Sequence, residues 1–286
     1  MKPPVFDYIC PATIEEVVEI LRVSGDSVKL IAGGQSLMPA LNFRLSAPSA
    51  LVDLGAIDSL NEIREDKDNW ILGAMVTHRR VETEPWIKKA LPLLSHAMRH
   101  VAHVQIRNRG TIGGSLCHSD PSAEWPGLCV ACDAIMVVVG PAGTKHVAAR
   151  DFVQGMYTTV IGSQDLLLEI RFPRWPLSRR WGFSEISRRS GDFAVAGAAA
   201  VGDFDERGTC RFLRLAVFGA TDKPEQINVD GLLAIEAVGP TQITEAADMA
   251  ASSLLVRGDH HASEAYRAEV VRHVVAAVLQ QVFEQE

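Results

Sequence analysis

No stretch of the 286-residue chain is apolar for long enough to cross a bilayer, which takes about 20 residues. The longest such run, residues 193–202 (FAVAGAAAVG), is the length of a strand and stops at Asp203. The chain opens MKPPVFDY, where paired prolines and an early aspartate stand in place of a secretory apolar core. A cytoplasmic protein without a membrane span is expected. Clustered positive charge is absent as well. The formal net charge is -7, and arginines pair only at Arg79–Arg80, Arg179–Arg180 and Arg188–Arg189, which argues against a basic groove for nucleic acid.

Cysteine is scarce: five residues, an odd number that suits reduced thiols. Only Cys129 and Cys132 are neighbours, and they lack the second pair of a zinc site and the four-cysteine spacing of an iron–sulfur protein. Both are expected on one buried helical face. His96, His100 and His103 share helical spacing, but no carboxylate or cysteine joins them; they read as surface or capping residues, and no metal site is assigned. Also missing are G-x-G-x-x-G and G-x-x-x-x-G-K-[ST], the glycine patterns of dinucleotide folds and P-loops.

What is present is an alternation of helical and strand patterns. Thr13 and Glu16 predict a capping box for a helix carrying Ile14, Val17, Val18 and Leu21 on one face, stopped at Gly25. Short strands are expected at residues 29–32, 51–54 and 70–74, and helices at 81–91, 92–101 and 124–132. Residues 135–139 and 144–148 predict a hairpin across GPAGTK, followed by a weaker strand at 165–172. RFPRWPLSRR breaks both periodicities, which places a boundary near Pro176. Beyond it, strands at 181–187, 193–203 and 212–218 precede a helical tail: 232–238, 245–254 and a stripe of Tyr266, Val270, Val271, Val274, Val275, Val278 and Val282. The fold class is α+β, with residues 1–176 (two subdomains, split near 55) and residues 177–286 as its two parts.

Two passages bear on chemistry. Gly33, Gly34, Gln35 and Ser36 end a strand with backbone N–H groups free of side-chain bulk, a cradle for phosphate. Thr111, Ile112, Gly113, Gly114 and Ser115 are expected to act alike from another direction, with hydroxyls from Thr111 and Ser115. Either loop alone reads as a tight turn. Two such loops fit a ligand with two linked phosphates.

AGGQSLMPALNFRL and QIRNRGTIGGSLCHSDPSAEWP resemble the flavin-binding signatures of the FAD-binding medium subunit of molybdenum hydroxylases, the xanthine, carbon monoxide and N-heterocycle dehydrogenase group. The resemblance continues through RRSGDFAVAG and DHHASEAYRAEVVRHVVAAVL. It implies a vanillyl-alcohol-oxidase (PCMH)-type FAD-binding fold followed by a CO dehydrogenase flavoprotein-like C-terminal domain. It implies that Lys29, Leu30, Ile31, Ala32, Gly33, Gly34, Gln35 and Ser36 wrap the pyrophosphate. It assigns Thr111, Gly114 and Ser115 to the phosphates and ribityl side, with His118 a cofactor-binding residue on the same loop, and Glu124 to the adenosine ribose. Val101 falls near the flavin ring, Leu167 or Leu168 beside the adenine half, and residues 188–193 over the isoalloxazine. Gln35, Glu124 and Phe193 stand where relatives often carry His, Asp and Tyr.

The function so implied is an FAD-carrying electron-transfer subunit, an oxidoreductase component with no catalytic acid or base of its own. Its partners would be a small iron–sulfur subunit with 2Fe–2S clusters, a large subunit with the molybdopterin cofactor, and an electron acceptor. The alternative is a free-standing FAD-dependent oxidase or dehydrogenase of a small molecule, for which no base beside the flavin is evident. A non-catalytic nucleotide-binding regulator is a third reading.

Overall fold

The computed structural model describes residues 2–232, 235 and 238–284. Thr13 caps the first helix, Ile14–Ser24, through its hydroxyl, which accepts from Glu16 N at 3.2 Å. The Glu16 carboxylate reaches back to Ala12 N rather than to Thr13 N, one residue beyond the partner of the predicted capping box. Gly25 ends the helix at φ +51°. This helix packs Val17 and Leu21 into the core of a parallel three-stranded sheet ordered Asp7–Ile9, Ala50–Asp53, Val28–Ile31. The outer strand Asp7–Ile9 carries no apolar alternation and all three of its residues are exposed, which is why periodicity misses it.

A second, antiparallel sheet of five strands runs Ile63–Glu65, Asn69–Gly73, Leu166–Pro173, Ile135–Gly140, Gly143–Ala148. The hairpin across residues 140–143 forms as predicted. The helix expected over 81–91 is instead two, His78–Thr83 and Pro85–Ala90, because Pro85 has no N–H with which to continue the first. Helix Pro92–Ala97 ends four residues before its predicted limit.

Four antiparallel strands follow in the order Arg179–Ser187, Ala194–Phe204, Cys210–Phe218, Glu225–Ile227, with helices Pro240–Ser253 and Glu264–Glu284 against one face. The alanine-rich strand Ala194–Phe204 is buried on both faces: Ala196, Ala198 and Ala200 share a core cluster with the valines of the last helix, and Ala199 and Val201 share another with Trp125 and Phe172. Small side chains let the helix come close. A Cβ on Gly182 would lie 2.5 Å from the carbonyl oxygen of Val278. The six valines of the stripe are buried, whereas Tyr266 is 52% exposed and stands outside it. Of the helix expected over 232–238, most lies outside the described residues; Leu232 closes a short turn, Asp230–Leu232. The largest core cluster joins Leu72 and Phe172 to Phe183 and Phe218, so it runs across Pro176 without a break.

His96 and His100 are not plain surface residues. Their rings pack against Trp181 and Phe183 of the C-terminal sheet, at centroid distances of 5.3 and 5.0 Å, and burial lowers both pKa values. Among the described residues no group of three metal-ligating side chains converges. All five cysteines are free thiols, with Cys129 and Cys132 buried.

Candidate functional site

Strand Val28–Ile31 delivers residues 32–36 into a short helix, Leu37–Asn42. Gly34 takes φ +73°, a conformation that favours glycine. The Gln35 side-chain amide folds back to donate to Gly33 O at 2.9 Å. The N–H groups of Gly33, Gly34, Gln35 and Ser36 find no acceptor among the described residues, and the Ser36 hydroxyl caps nothing. Gly33 itself is close to protein, not to open space: a Cβ there would lie 2.1 Å from the carbonyl oxygen of Arg109.

The second glycine passage is the start of a helix that sequence patterning missed, Ile112–His118, capped by Thr111. Its amides are already engaged. Ile112 N donates to Val76 O (3.0 Å), Gly113 N to Ala74 O (2.8 Å), Gly114 N to Thr111 Oγ1 (3.1 Å) and Ser115 N to Thr111 O (3.0 Å). The expectation of a second set of free amides is therefore corrected. This loop presents a wall and the Ser115 hydroxyl, while the row of four unengaged amides belongs to the first loop.

A cavity of about 970 Å³ lies between the loops and extends toward the C-terminal sheet. Lys29, Leu30, Ala32, Gly33, Gly34, Gln35 and Ser36 line it from one side. Thr111, Gly114, Ser115, His118, Glu124, Val101 and Leu167 line the rest. Ile31 is outside the wall, as is Leu168, whose carbonyl instead accepts from Ala74 N at 2.9 Å. The loop at residues 188–193 contributes Arg188, Gly191, Asp192 and Phe193, the last 64% exposed and just ahead of its strand.

Glu124 opens helix Glu124–Ala131 and is only 6% exposed. Burial pushes its carboxyl above the ordinary range, and the charge of Asp120 adds to the shift. Glu185 on the facing sheet is raised in the same way, first by burial and then by Glu124, and its Oε2 has no partner among the described residues. Tyr157, held at φ +53°, lies tilted against the His118 ring, with centroids 5.2 Å apart, and donates to Asp120 Oδ2 at 3.1 Å.

Some residues at or behind the wall have no role assigned from sequence. Arg107 fixes the turn beside Val101: its Nη1 donates to Val101 O (3.0 Å) and Ala102 O (2.7 Å), and its Nε pairs with Glu82 Oε2 at 3.0 Å. Arg267 is 5% exposed and ties the last helix to the sheet through Val195 O, Gly219 O and Asp259 Oδ2. Burial alone would raise the Asp259 carboxyl, but donors from His261 N, Arg267 and Ala262 N hold it at about 2. The eight-residue spacing of Asp259 and Arg267 inside the quoted C-terminal stretch was the available signal for that pair. For His78, which lines the cavity beneath Trp125, the sequence offers none.

The family described as "FAD binding domain in molybdopterin dehydrogenase" matches residues 4–175, and "CO dehydrogenase flavoprotein C-terminal domain" matches residues 181–282. The alpha subunit of the 6-hydroxypseudooxynicotine dehydrogenase complex of Paenarthrobacter nicotinovorans is 38% identical, over 98% of this chain and 95% of that one. Among solved structures, carbon monoxide dehydrogenase from Hydrogenophaga pseudoflava superposes with a TM-score of 0.95 at 32% identity, covering 99% of each chain. Quinoline 2-oxidoreductase from Pseudomonas putida 86 gives 0.93 at 36% identity, again over 99% of each. The chain belongs to the FAD-binding family of molybdopterin dehydrogenases and carries the C-terminal domain of the CO dehydrogenase flavoproteins.

Proposed function

We propose that the chain is the cytoplasmic, FAD-carrying electron-transfer subunit of a heterotrimeric molybdenum hydroxylase. Electrons would arrive from 2Fe–2S clusters on a small subunit, downstream of a large molybdopterin subunit, and leave to an external acceptor. The observation that carries the reading is the row of unengaged N–H groups at residues 33–36, facing a cavity of about 970 Å³ with a buried carboxyl at Glu124 on another wall. Amides without acceptors suit a pyrophosphate, and a carboxylate suits a ribose diol. The cavity is large for a single small ligand and fits a dinucleotide. Bound FAD supplies the redox chemistry.

On this reading residues 29–36 hold the pyrophosphate by backbone, with the Ser115 hydroxyl opposite. Thr111, Gly114 and His118 shape the phosphate and ribityl side, Glu124 accepts from the ribose, Leu167 lies by the adenine and Val101 by the ring. Residues 1–176, divided near 55, form the flavin-binding part and residues 177–286 the part that closes over it. That a close relative is a subunit of a dehydrogenase complex supports the multi-subunit assembly.

The test is the native complex. Flavin absorbance with iron and molybdenum co-purifying on separate chains is the expected result. A single polypeptide that carries flavin, lacks both metals and still turns over substrate would sink the reading.

A further inference from the structure

We propose that His78, held as its Nε2–H tautomer by Trp125, donates a hydrogen bond to a neutral acceptor of the bound FAD, between the second glycine loop and the turn at Val101. The proposal rests on the FAD reading above and deepens it.

The tautomer follows from one contact. Trp125 Nε1 lies 2.9 Å from His78 Nδ1, and both residues are buried. An indole N–H only donates, so Nδ1 must be the unprotonated nitrogen. A neutral imidazole then carries its proton on Nε2. The ring is neutral because burial, with the Arg107 charge second, lowers its pKa to about 4.

The position of the donor is equally constrained. Thr77 caps helix His78–Thr83, and His78 N donates to Gly110 O at 2.9 Å, which pins the backbone to the second loop. The Cδ2–Nε2 edge lies 2.8–2.9 Å from where a Cβ on Gly110 would stand, so glycine at 110 leaves that edge room. His78 is 5% exposed and lines the cavity, together with Val101, Ile106 and Gly110. No hydrogen bond leaves Nε2 to another described residue. Nε2 is therefore a donor on the cavity wall that the protein leaves unused, and the cavity is where its partner can come from.

The chemistry selects the acceptor. An uncharged N–H suits a ring carbonyl, a ring nitrogen or a ribityl hydroxyl. A phosphate is served better by charge-assisted donors or a row of amides, and the first loop has such a row. Trp125, which does not line the cavity, is a positioning residue for His78.

The experiment uses the full-length chain labelled with ¹⁵N-histidine. Without flavin, His78 should show a protonated Nε2 and a bare Nδ1. Saturation with FAD, followed independently by flavin absorbance, should shift the Nε2–H resonance and slow its exchange. Trp125→Phe should mix the tautomers. His78→Gln, which keeps an N–H near the Nε2 position, should bind FAD within about threefold of the parent, and His78→Phe about five- to tenfold more weakly. Flavin bound with the Nε2–H signal unmoved overturns the proposal, leaving a water as the partner and the FAD reading intact. So does His78→Phe binding FAD as the parent does. Absence of any flavin binding overturns the FAD reading and this proposal together. The resonance of the parent chain decides the matter even where a variant does not fold.

Discussion

The carbonyl oxygen of Arg109 lies 2.1 Å from the position that a Cβ on Gly33 would take, so the first glycine loop rests directly on the backbone of the second. Neither partner is a flexible side chain, and the contact cannot be relieved by a rotamer change. Gly33→Ala should therefore cost about 1–3 kcal/mol and push the loops apart. A lower urea midpoint and a lower flavin-to-protein ratio are expected together. Gly231→Ala, where nothing lies within 4 Å of the added methyl, is the control for the substitution itself.

That contact shows what could and could not be read from sequence. The glycine passages stand out in the sequence, and their pairing across space is an expectation the sequence carries. Their division of labour is not: amides of residues 112–115 are consumed by Ala74, Val76 and Thr111, partners separated from them in sequence by up to 39 residues. Long amphipathic segments such as Ile14–Ser24 and Glu264–Glu284 were legible because burial imposes a 3.6-residue period. Asp7–Ile9 was not, since its pairing is to Ala50–Asp53 and its side chains are exposed. His78 belongs to the same class of omission. Its role depends on Trp125, 47 residues away, and no local spacing reports such a contact.

His78 also sets a pH dependence. Its folded pKa of about 4 is below the ordinary 6.5, so the unfolded chain binds more protons between those values. Stability from this residue is complete above about pH 6.5 and is lost as pH falls toward 4. The difference corresponds to about 3 kcal/mol over that window. Chemical denaturation at several pH values should show a shallower acid slope in His78→Phe than in the parent, even though the variant starts lower because the Trp125 N–H is unpaired. Parallel slopes would mean that the ring is not buried neutral.

Arg107 and Glu82 are 12% and 15% exposed, and the guanidinium also supplies the only donor to Val101 O and Ala102 O among the described residues. Burial alone would raise the Glu82 carboxyl, but hydrogen bonds from Arg79 and Arg107 more than offset it. Arg107→Met strips the turn of both bonds and should cost about 2–3 kcal/mol. Arg107→Lys should recover only part, because a single ammonium cannot span Glu82 and two carbonyls. Thermal melts of the three proteins check the order. Flavin release should quicken in the same order, since Ala102, at φ +43°, relies on that clamp.

Glu185 runs opposite to His78. Its carboxyl is raised by burial and then by Glu124, so here the folded chain binds the extra proton. Its contribution to stability is complete below the ordinary carboxyl range near 4.5 and declines as pH rises toward the raised folded value. An amide has the shape of the protonated acid and does not ionise. Glu185→Gln should therefore gain on the parent as pH increases, most clearly on the alkaline side of neutrality, while the two remain close in mild acid. Urea midpoints at about pH 5 and about pH 8 decide it. A constant difference between parent and variant at both values would show that Glu185 ionises freely, and the buried pair with Glu124 would have to be abandoned.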